Sequence, residues 1–324
     1  MTYPFDDPSR RLPASIPPID TYYVQRAPRK FRNRLWLHVT LFFLTLAVTT
    51  LVGSSHYLSY ITEFGRRPFA ITWRTLVDGL WYSLTLLGIL GAHEFGHYYF
   101  CRRYGVDATL PYFIPAPIPL TGTLGAVIKI REAFPTRTVL FDIGVGGPIA
   151  GFVVLVPALF IGMSMSTVVA VPTGPSVFYM GEPLLFQWAA SLAFGPLSPN
   201  QTINIHPMVF AAWFGMLATA LNLLPFGQLD GGHITYATLG RWATPISLAT
   251  VGIAVLMTFN STSWLFMTLM MLAMLLFLGP RHPRVIYEHE PLEPGRRWVA
   301  VLALIIFILC FTPVPIDTLI ETKR

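Results

Sequence analysis

Seven apolar blocks, separated by polar or proline-rich connections, constrain how this chain folds more than any other feature. Several approach the length of about 20 residues that lets a helix cross a hydrocarbon core of about 30 Å. Of the 324 residues, 53% are hydrophobic and only 12% are charged, which is half the usual charged share of about 25%. The sequence therefore predicts an all-α polytopic membrane protein with about seven transmembrane helices. The blocks run from Leu35 to Val52, Leu80 to Cys101, Phe141 to Met165, Met208 to Leu224, Pro245 to Phe259, Trp264 to Gly279 and Val299 to Phe311.

Basic residues are distributed unevenly among the segments that connect these blocks. With the N-terminus inside, 17 of the 22 Lys and Arg residues fall on the inner side: seven before Leu35, five from Arg102 to Arg137, Arg241, and four from Arg281 to Arg297. Short cytoplasmic segments of membrane proteins carry such an excess of positive charge. We therefore predict a cytoplasmic N-terminus. The net charge of +6 reflects this bias, so we do not predict nucleic-acid binding.

Two connections between the blocks have distinctive compositions. The segment from Leu110 to Arg131 is too rich in proline for a spanning helix, and its second half alternates apolar and other residues as a strand or hairpin does. Because such backbone is tolerated at membrane depth only where protein or water satisfies it, we expect a short re-entrant hairpin near the functional site. The segment from Ser166 to His206 carries Glu182 as its one acidic residue and no Lys or Arg, which is typical of an outer loop with a partly buried amphipathic turn.

A His-Glu-x-x-His pattern, His93-Glu94-Phe95-Gly96-His97, lies inside the second apolar block. Histidines four positions apart on a helix face the same way, so both imidazoles can reach one Zn²⁺, and the glutamate between them can activate its water. Three ionisable side chains within five residues of an apolar span are costly unless they are paired, metal-bound or hydrated. The pattern and its location together predict a metal centre in the hydrocarbon zone, nearer the cytosol. The alternative without a metal is that these residues lie at a helix end and extend their side chains to the aqueous interface.

A catalytic zinc usually has three protein ligands, so a third donor is expected elsewhere in the chain. Asp230 is the best candidate, because the fourth block runs inward and is broken by Pro225 and Gly227 just before it. A buried carboxylate is stable beside a cation and costly without one. The alternatives are that Asp230 only caps the helix that follows, or that His233 is the ligand instead.

Two motifs in this order resemble the site-2 protease family of intramembrane zinc metalloproteases: His93 to His97, then Asn222-Leu-Leu-Pro-Phe-Gly-Gln-Leu-Asp-Gly-Gly232. The segments Gly122 to Gly125 and Leu140 to Gly151 are similar to the subgroup that includes plastid members. The resemblance covers roughly residues 76–240. Two departures stand out: Thr123 replaces the Asn that is frequent in the family, and no PDZ domain interrupts the chain.

The resemblance implies a ligand set and a reaction. His93, His97 and Asp230 would hold one zinc ion per chain, Glu94 would be the general acid/base, and Asn222 would help to stabilise the tetrahedral intermediate. The substrates implied are single-span membrane proteins, which would be cut in or near their transmembrane segments within the lipid bilayer. The implied location is a multi-pass position in a bacterial inner membrane.

These patterns divide the chain into four parts. Residues 1–34 form a cytosolic basic tail, and residues 35–75 form the first transmembrane helix and an outer loop. Residues 76–240 form the membrane core that resembles a site-2 protease, and residues 241–324 form further transmembrane helices and a C-terminal tail.

Two rival interpretations remain from the sequence. A non-proteolytic zinc transporter or scaffold would carry the same ligands, but transport predicts ionisable residues in more spans than occur here, and a scaffold has no need of Glu94. A different His-Glu-x-x-His membrane protease, such as a prenyl-protein endopeptidase, would be expected to take its third ligand from a downstream glutamate rather than from Asp230.

Overall fold

The structure is a computed structural model that describes residues 34–68, 72–171, 178–259, 261–279, 282–288 and 292–318. The basic tail predicted for residues 1–34 lies outside these ranges, apart from Arg34. Ten α-helices occur in the described ranges: α1 Leu35–Ile61, α2 Trp73–Asp78, α3 Leu80–Tyr104, α4 Arg137–Ser164, α5 Leu184–Phe194, α6 Pro207–Asn222, α7 Asp230–Leu239, α8 Ala243–Met257, α9 Ser263–Leu278 and α10 Pro294–Cys310. Every apolar block of the sequence coincides with one of them.

Four helical stretches in the described ranges are long and apolar enough to cross a membrane: Leu35–Ile61, Trp73–Tyr104, Arg137–Ser164 and Asp230–Met257. The other predicted spans coincide with α6, α9 and α10, which have 16, 16 and 17 residues. Helices are expected in a membrane because each helix pairs its own backbone N–H and C=O groups, which find no hydrogen-bond partners in lipid. The chain is thus a membrane protein with four candidate spans in the described ranges, and the predicted count of seven is not confirmed.

The described residues are mostly helical, as predicted, and also form three two-stranded antiparallel sheets: β1 Tyr112–Pro115 with β2 Thr123–Val127, β3 Thr167–Ala170 with β5 Gln201–Asn204, and β4 Phe178–Met180 with β6 Ile316–Thr318. The β1–β2 pair is the expected hairpin. The other two sheets lie in or pair with the predicted outer loop, which also contains α5. Their strands have three or four residues, too few for alternation to reveal them in the sequence.

Helix α4 lies at the centre of the molecule, packed against α3, α6 and α7. In its most apolar stretch 61% of the residues are buried inside the protein, against 17% for α1, which is therefore peripheral. The main core forms where Phe141, Leu155 and Leu159 of α4 meet Trp213 and Met216 of α6. Helix α4 also packs closely against α3.

Polar contacts join the connecting segments at each end of the bundle. At one end, the Arg296 guanidinium at the start of α10 donates two 2.8 Å hydrogen bonds to Asp142, and Tyr104 at the end of α3 donates to the same carboxylate. At the other end, the Asn204 amide donates to the Tyr60 carbonyl at 2.8 Å. These contacts fix the relative positions of five helix ends, those of α1, α3, α4, α6 and α10.

Helices α1 and α3 cross where two glycines face each other. An added Cβ at Gly53 would lie 2.3 Å from the Gly79 carbonyl oxygen, and one at Gly79 would lie 2.2 Å from the Thr50 carbonyl oxygen. Only the absence of side chains permits this approach, as in other membrane helix pairs that pack through small residues.

Gly53→Ala therefore forces the two backbones apart, and we expect a loss of about 1–3 kcal/mol of stability, the usual range for overpacking. Thermal unfolding of the purified protein in one detergent measures this loss. Gly252→Ala is the matched control, because a Cβ at Gly252 in α8 meets nothing within 4 Å. Equal stability of the two variants would contradict the close crossing.

Candidate metal centre

Helix α3 presents His93 and His97 on one face, one turn apart. Both side chains are buried, and their Nε2 atoms lie 3.0 Å from each other. The spacing of four residues produces this convergence directly, because side chains at i and i+4 lie one above the other along a helix.

Asp230 approaches the two imidazoles from the turn between α6 and α7. Helix α6 ends at Asn222, and the following turn, which includes Pro225 and has a positive φ of 52° at Gly227, leads to Asp230 at the first position of α7. Its Oδ2 lies 3.1 Å from His93 Nε2 and its Oδ1 lies 3.3 Å from His97 Nε2. Among the described residues, these three side chains form the group that could hold a metal ion, with ligand atoms within 4.8 Å of one another.

The hydrogen bonds around these atoms fit a cation. His97 Nδ1 lies 2.7 Å from the Ile143 carbonyl oxygen, which only accepts, so Nδ1 carries the proton and the Nε2 lone pair points at Asp230. Asp230 Oδ2 is buried and has no hydrogen-bond partner among the described residues, with His93 Nε2 3.1 Å away. A buried carboxylate is costly unless a cation lies beside it. The donor set of two imidazoles and one carboxylate suits zinc.

Gly147 of α4 leaves the space that His97 occupies. An added Cβ at this position would lie 2.1 Å from His97 Nε2 and 2.5 Å from Cε1. Any side chain at position 147 would therefore displace the imidazole from Asp230. The sequence contains this glycine in the stretch Gly144-Val-Gly-Gly-Pro148, but nothing in the stretch indicates which histidine it faces.

Glu94 is buried beside the cluster and directed towards the β1–β2 hairpin. Its Oε2 accepts a 2.8 Å hydrogen bond from the backbone N–H of Ile128, the residue that follows β2. The carboxylate is thus held next to the metal-binding group without being part of it. A backbone donor carries no residue-type signal, so sequence reasoning could not find the contribution of Ile128.

Asn222 and Thr123 were both noted in the sequence: Asn222 borders the site, and Thr123 lies in the hairpin. The Asn222 amide nitrogen is 3.5 Å from His93 Nε2, so its side chain borders the cluster. The Thr123 hydroxyl donates to the Ile114 carbonyl at 2.7 Å and accepts from the Gly125 N–H at 3.0 Å, which fixes the turn of the hairpin.

His233, the alternative ligand, interacts with another histidine instead. Its Nδ1 lies 2.6 Å from Nε2 of His282, whose own Nδ1 donates to the Pro283 carbonyl at 2.6 Å. Burial lowers the pKa of His282, so its imidazole is neutral and its Nε2 accepts the proton of His233. His233 therefore lies outside the cluster formed by His93, His97 and Asp230.

A bundle of apolar helices that buries two histidines, an aspartate and an adjacent glutamate defines a membrane protein with a metal-binding centre. Comparison with known families agrees with this class: the family description "Peptidase family M50" matches residues 81–265, more than half of the chain. The chain belongs to peptidase family M50.

Curated relatives carry related names. "Probable zinc metalloprotease EGY2, chloroplastic" from Oryza sativa subsp. indica is 30% identical over 253 residues, which cover 75% of this chain and 44% of that protein. "Probable zinc metalloprotease EGY1, chloroplastic" from Arabidopsis thaliana is 31% identical over 244 residues, or 71% of this chain and 42% of that protein. The match thus spans less than half the length of these relatives. No solved structure matches the chain significantly.

We expect the purified protein to carry about one zinc per chain, and His93→Ala, His97→Ala and Asp230→Ala each to lower that content, because each removes one of three ligands. Elemental analysis of the purified variants measures it. His233→Ala and Asp142→Asn are matched controls that should retain zinc. Full zinc in Asp230→Ala together with loss in His233→Ala would transfer the third ligand to His233.

Proposed function

We propose that this protein is an intramembrane zinc endopeptidase that hydrolyses peptide bonds in or near the transmembrane segments of single-span membrane proteins. The observation that carries the proposal is the buried convergence of His93, His97 and Asp230 beside the carboxylate of Glu94. Membership of family M50 and the names of the zinc metalloprotease relatives support it. In this proposal His93, His97 and Asp230 hold one zinc ion.

Glu94 is the general acid/base in this mechanism. Zinc held by the three ligands supplies Lewis acidity, which lowers the pKa of water and polarises a carbonyl group. Because Ile128 N–H occupies Oε2 of Glu94, and no hydrogen bond to Oε1 occurs among the described residues, Oε1 is the atom that takes the proton of the attacking water. The same oxygen then delivers a proton to the leaving amine.

Asn222 supplies a polar contact to the reacting carbonyl. Its amide is a hydrogen-bond donor that borders His93 at 3.5 Å, and a donor placed there stabilises negative charge on the carbonyl oxygen as it develops. Such a contact assists the reaction without being indispensable, in contrast to Glu94.

The substrate must unwind locally, since a helix hides its peptide bonds, and the hairpin offers a place for the unwound chain. Lys129 N–H bonds to Thr109 and Arg131 N–H bonds to Asp107, so these donors face the preceding chain. The N–H of Ile128 faces the opposite way, towards Glu94. Strand alternation assigns Ala126 to the same edge. A substrate strand that pairs with this edge of β2 passes the catalytic carboxylate. The rival role for the hairpin is that of a structural plug.

We further propose seven crossings, with α6, α9 and α10 as short spans, a cytoplasmic N-terminus, and a location in a bacterial inner membrane. The contacts that join the helix ends support this arrangement, because the segments expected inside meet at one end of the bundle and those expected outside meet at the other. The excess of basic residues on the inner segments gives the orientation.

Glu94→Gln should retain zinc and fold but lose at least about 10²–10⁴-fold in cleavage rate, because the amide keeps the size of the side chain and cannot accept a proton. Cleavage of a panel of reconstituted single-span substrates, alongside zinc content, measures both properties. Asn222→Ala should be milder, with a loss of at most about 3–4 kcal/mol of transition-state stabilisation.

The matched control for Glu94→Gln is Glu132→Gln, an exposed carboxylate at the end of the same hairpin segment, which should cleave normally. Near-normal cleavage by Glu94→Gln would refute the mechanism and favour a zinc-binding transporter or scaffold. Loss of zinc from Glu94→Gln would give Glu94 a structural role.

The proposed topology predicts which single cysteines react with an impermeant thiol reagent on intact cells, once Cys101 and Cys310 are replaced. Thr2→Cys and Ala133→Cys should be protected, and Glu182→Cys should be labelled, because the positive-inside rule places the first two inside. Permeabilised cells provide the control for reactivity. External labelling of Ala133→Cys would place the metal centre nearer the outer face and contradict the orientation.

A further inference from the structure

A groove unrelated to the metal centre opens on the lipid-facing surface between α3 and α4, at the end of the bundle where α3 begins. Its volume is about 510 Å³. Apolar side chains and the bare surface of Gly88 form most of its wall, and a carboxylate stands at its rim. The lining residues are Val77, Asp78, Leu80, Trp81, Leu84, Thr85, Gly88, Val154, Ala158 and Met208.

Asp78 is the charged residue in the lining of this groove. Arg74 is four positions before Asp78 on α2, so the two residues share a face of that short helix. The ion pairs formed by the described residues include neither of them. The groove thus ends at an anion, with a cation on the same helix, and neither is neutralised by an ion pair within the described part of the chain.

Aromatic rings flank these charges. Trp81, which lines the groove one turn after Asp78, is 42% exposed, and Trp73 at the start of α2 is 76% exposed. Exposed tryptophans are typical of the membrane–water interface, which places the charged rim at the depth of lipid head groups. The face of an indole ring also attracts a cation, so Trp81 and Asp78 favour the same kind of ligand.

The lining of the groove matches the two parts of a lipid molecule. From Leu80 to Gly88 it follows α3 for about 12 Å, at 1.5 Å per residue, which gives an acyl chain room for several methylene groups. Most of the lining is apolar, as an acyl chain requires, and the carboxylate of Asp78 at one end is complementary to a cationic head group.

We propose that this groove binds one phospholipid with a zwitterionic head group, its ammonium on Asp78 and Trp81, its phosphate near Arg74, and an acyl chain along α3 as far as Gly88. When the acyl chain moves from the bilayer into the groove, it exchanges one apolar environment for another, so this transfer contributes little binding free energy. Selectivity therefore comes from the head group, and Asp78 is the residue that distinguishes a lipid with an ammonium group from one without.

The test is a titration of the full-length, delipidated protein with phosphatidylethanolamine or phosphatidylglycerol of identical chains, followed by native mass spectrometry. We expect the first phosphatidylethanolamine to bind about tenfold more tightly than phosphatidylglycerol, since one charge-assisted hydrogen bond contributes on that order. Asp78→Asn should abolish the preference, and Asp78→Glu should retain it. Glu63→Gln is the matched control, because Glu63 is an acidic residue at the same end of the bundle that pairs with Arg67 instead.

Val154→Phe keeps the proposal testable if Asp78→Asn does not fold. It leaves both rim charges in place and fills the groove, so the first bound phosphatidylethanolamine should be lost. An equal affinity of the wild type for the two lipids, or an unchanged preference in Asp78→Asn, would overturn the proposal. Displacement of the bound lipid by a single-span peptide of equal stoichiometry would assign the groove to a protein partner instead.

Discussion

The burial of two imidazoles and a carboxylate among apolar helices is the constraint on which the rest of this structure depends. The ligand atoms of His93, His97 and Asp230 converge on one small buried volume, where an unpaired charge is expensive. A cation bound there would compensate the charge of Asp230. Because the three side chains come from α3 and from the start of α7, the energy of metal binding would also hold these helices together and couple metal affinity to stability.

Helix α4 provides the space for the His97 side chain and a backbone acceptor for its ring proton. Gly147 leaves room for the His97 imidazole, and the carbonyl of Ile143 fixes which of its nitrogens carries the proton. On the same helix, Asp142 binds Arg296 and Tyr104 and so joins α10 to the C-terminal end of α3. One central helix therefore shapes the site, sets its tautomer and anchors its surroundings. The deep burial of α4 keeps these three contributions in a fixed relation to one another.

Whether a feature of this structure could be predicted from the sequence depended on the kind of contact that forms it. The spacing of His93 and His97 made their shared face predictable, and the helix break at Pro225 made the approach of Asp230 plausible, since both arguments rest on local geometry. Contacts through backbone groups, such as Ile128 N–H on Glu94 and Ile143 C=O on His97, have no residue-type signature. The β3–β5 and β4–β6 pairs escaped prediction because their strands are short and far apart in the chain. Four of the seven apolar blocks coincide with helical stretches long enough to cross a membrane, and the other three coincide with shorter helices, because apolar composition alone does not set helix length.

The hairpin connects the proposed substrate edge to the general base. Ile128 N–H holds Glu94, and Ala126, the next residue on that edge, lies about 7 Å further along the strand at the usual rise of 3.3 Å per residue. A substrate that pairs with Ala126 thus places its following peptide group, rather than the paired one, near the Glu94 carboxylate. The register of pairing would then determine which bond is cleaved.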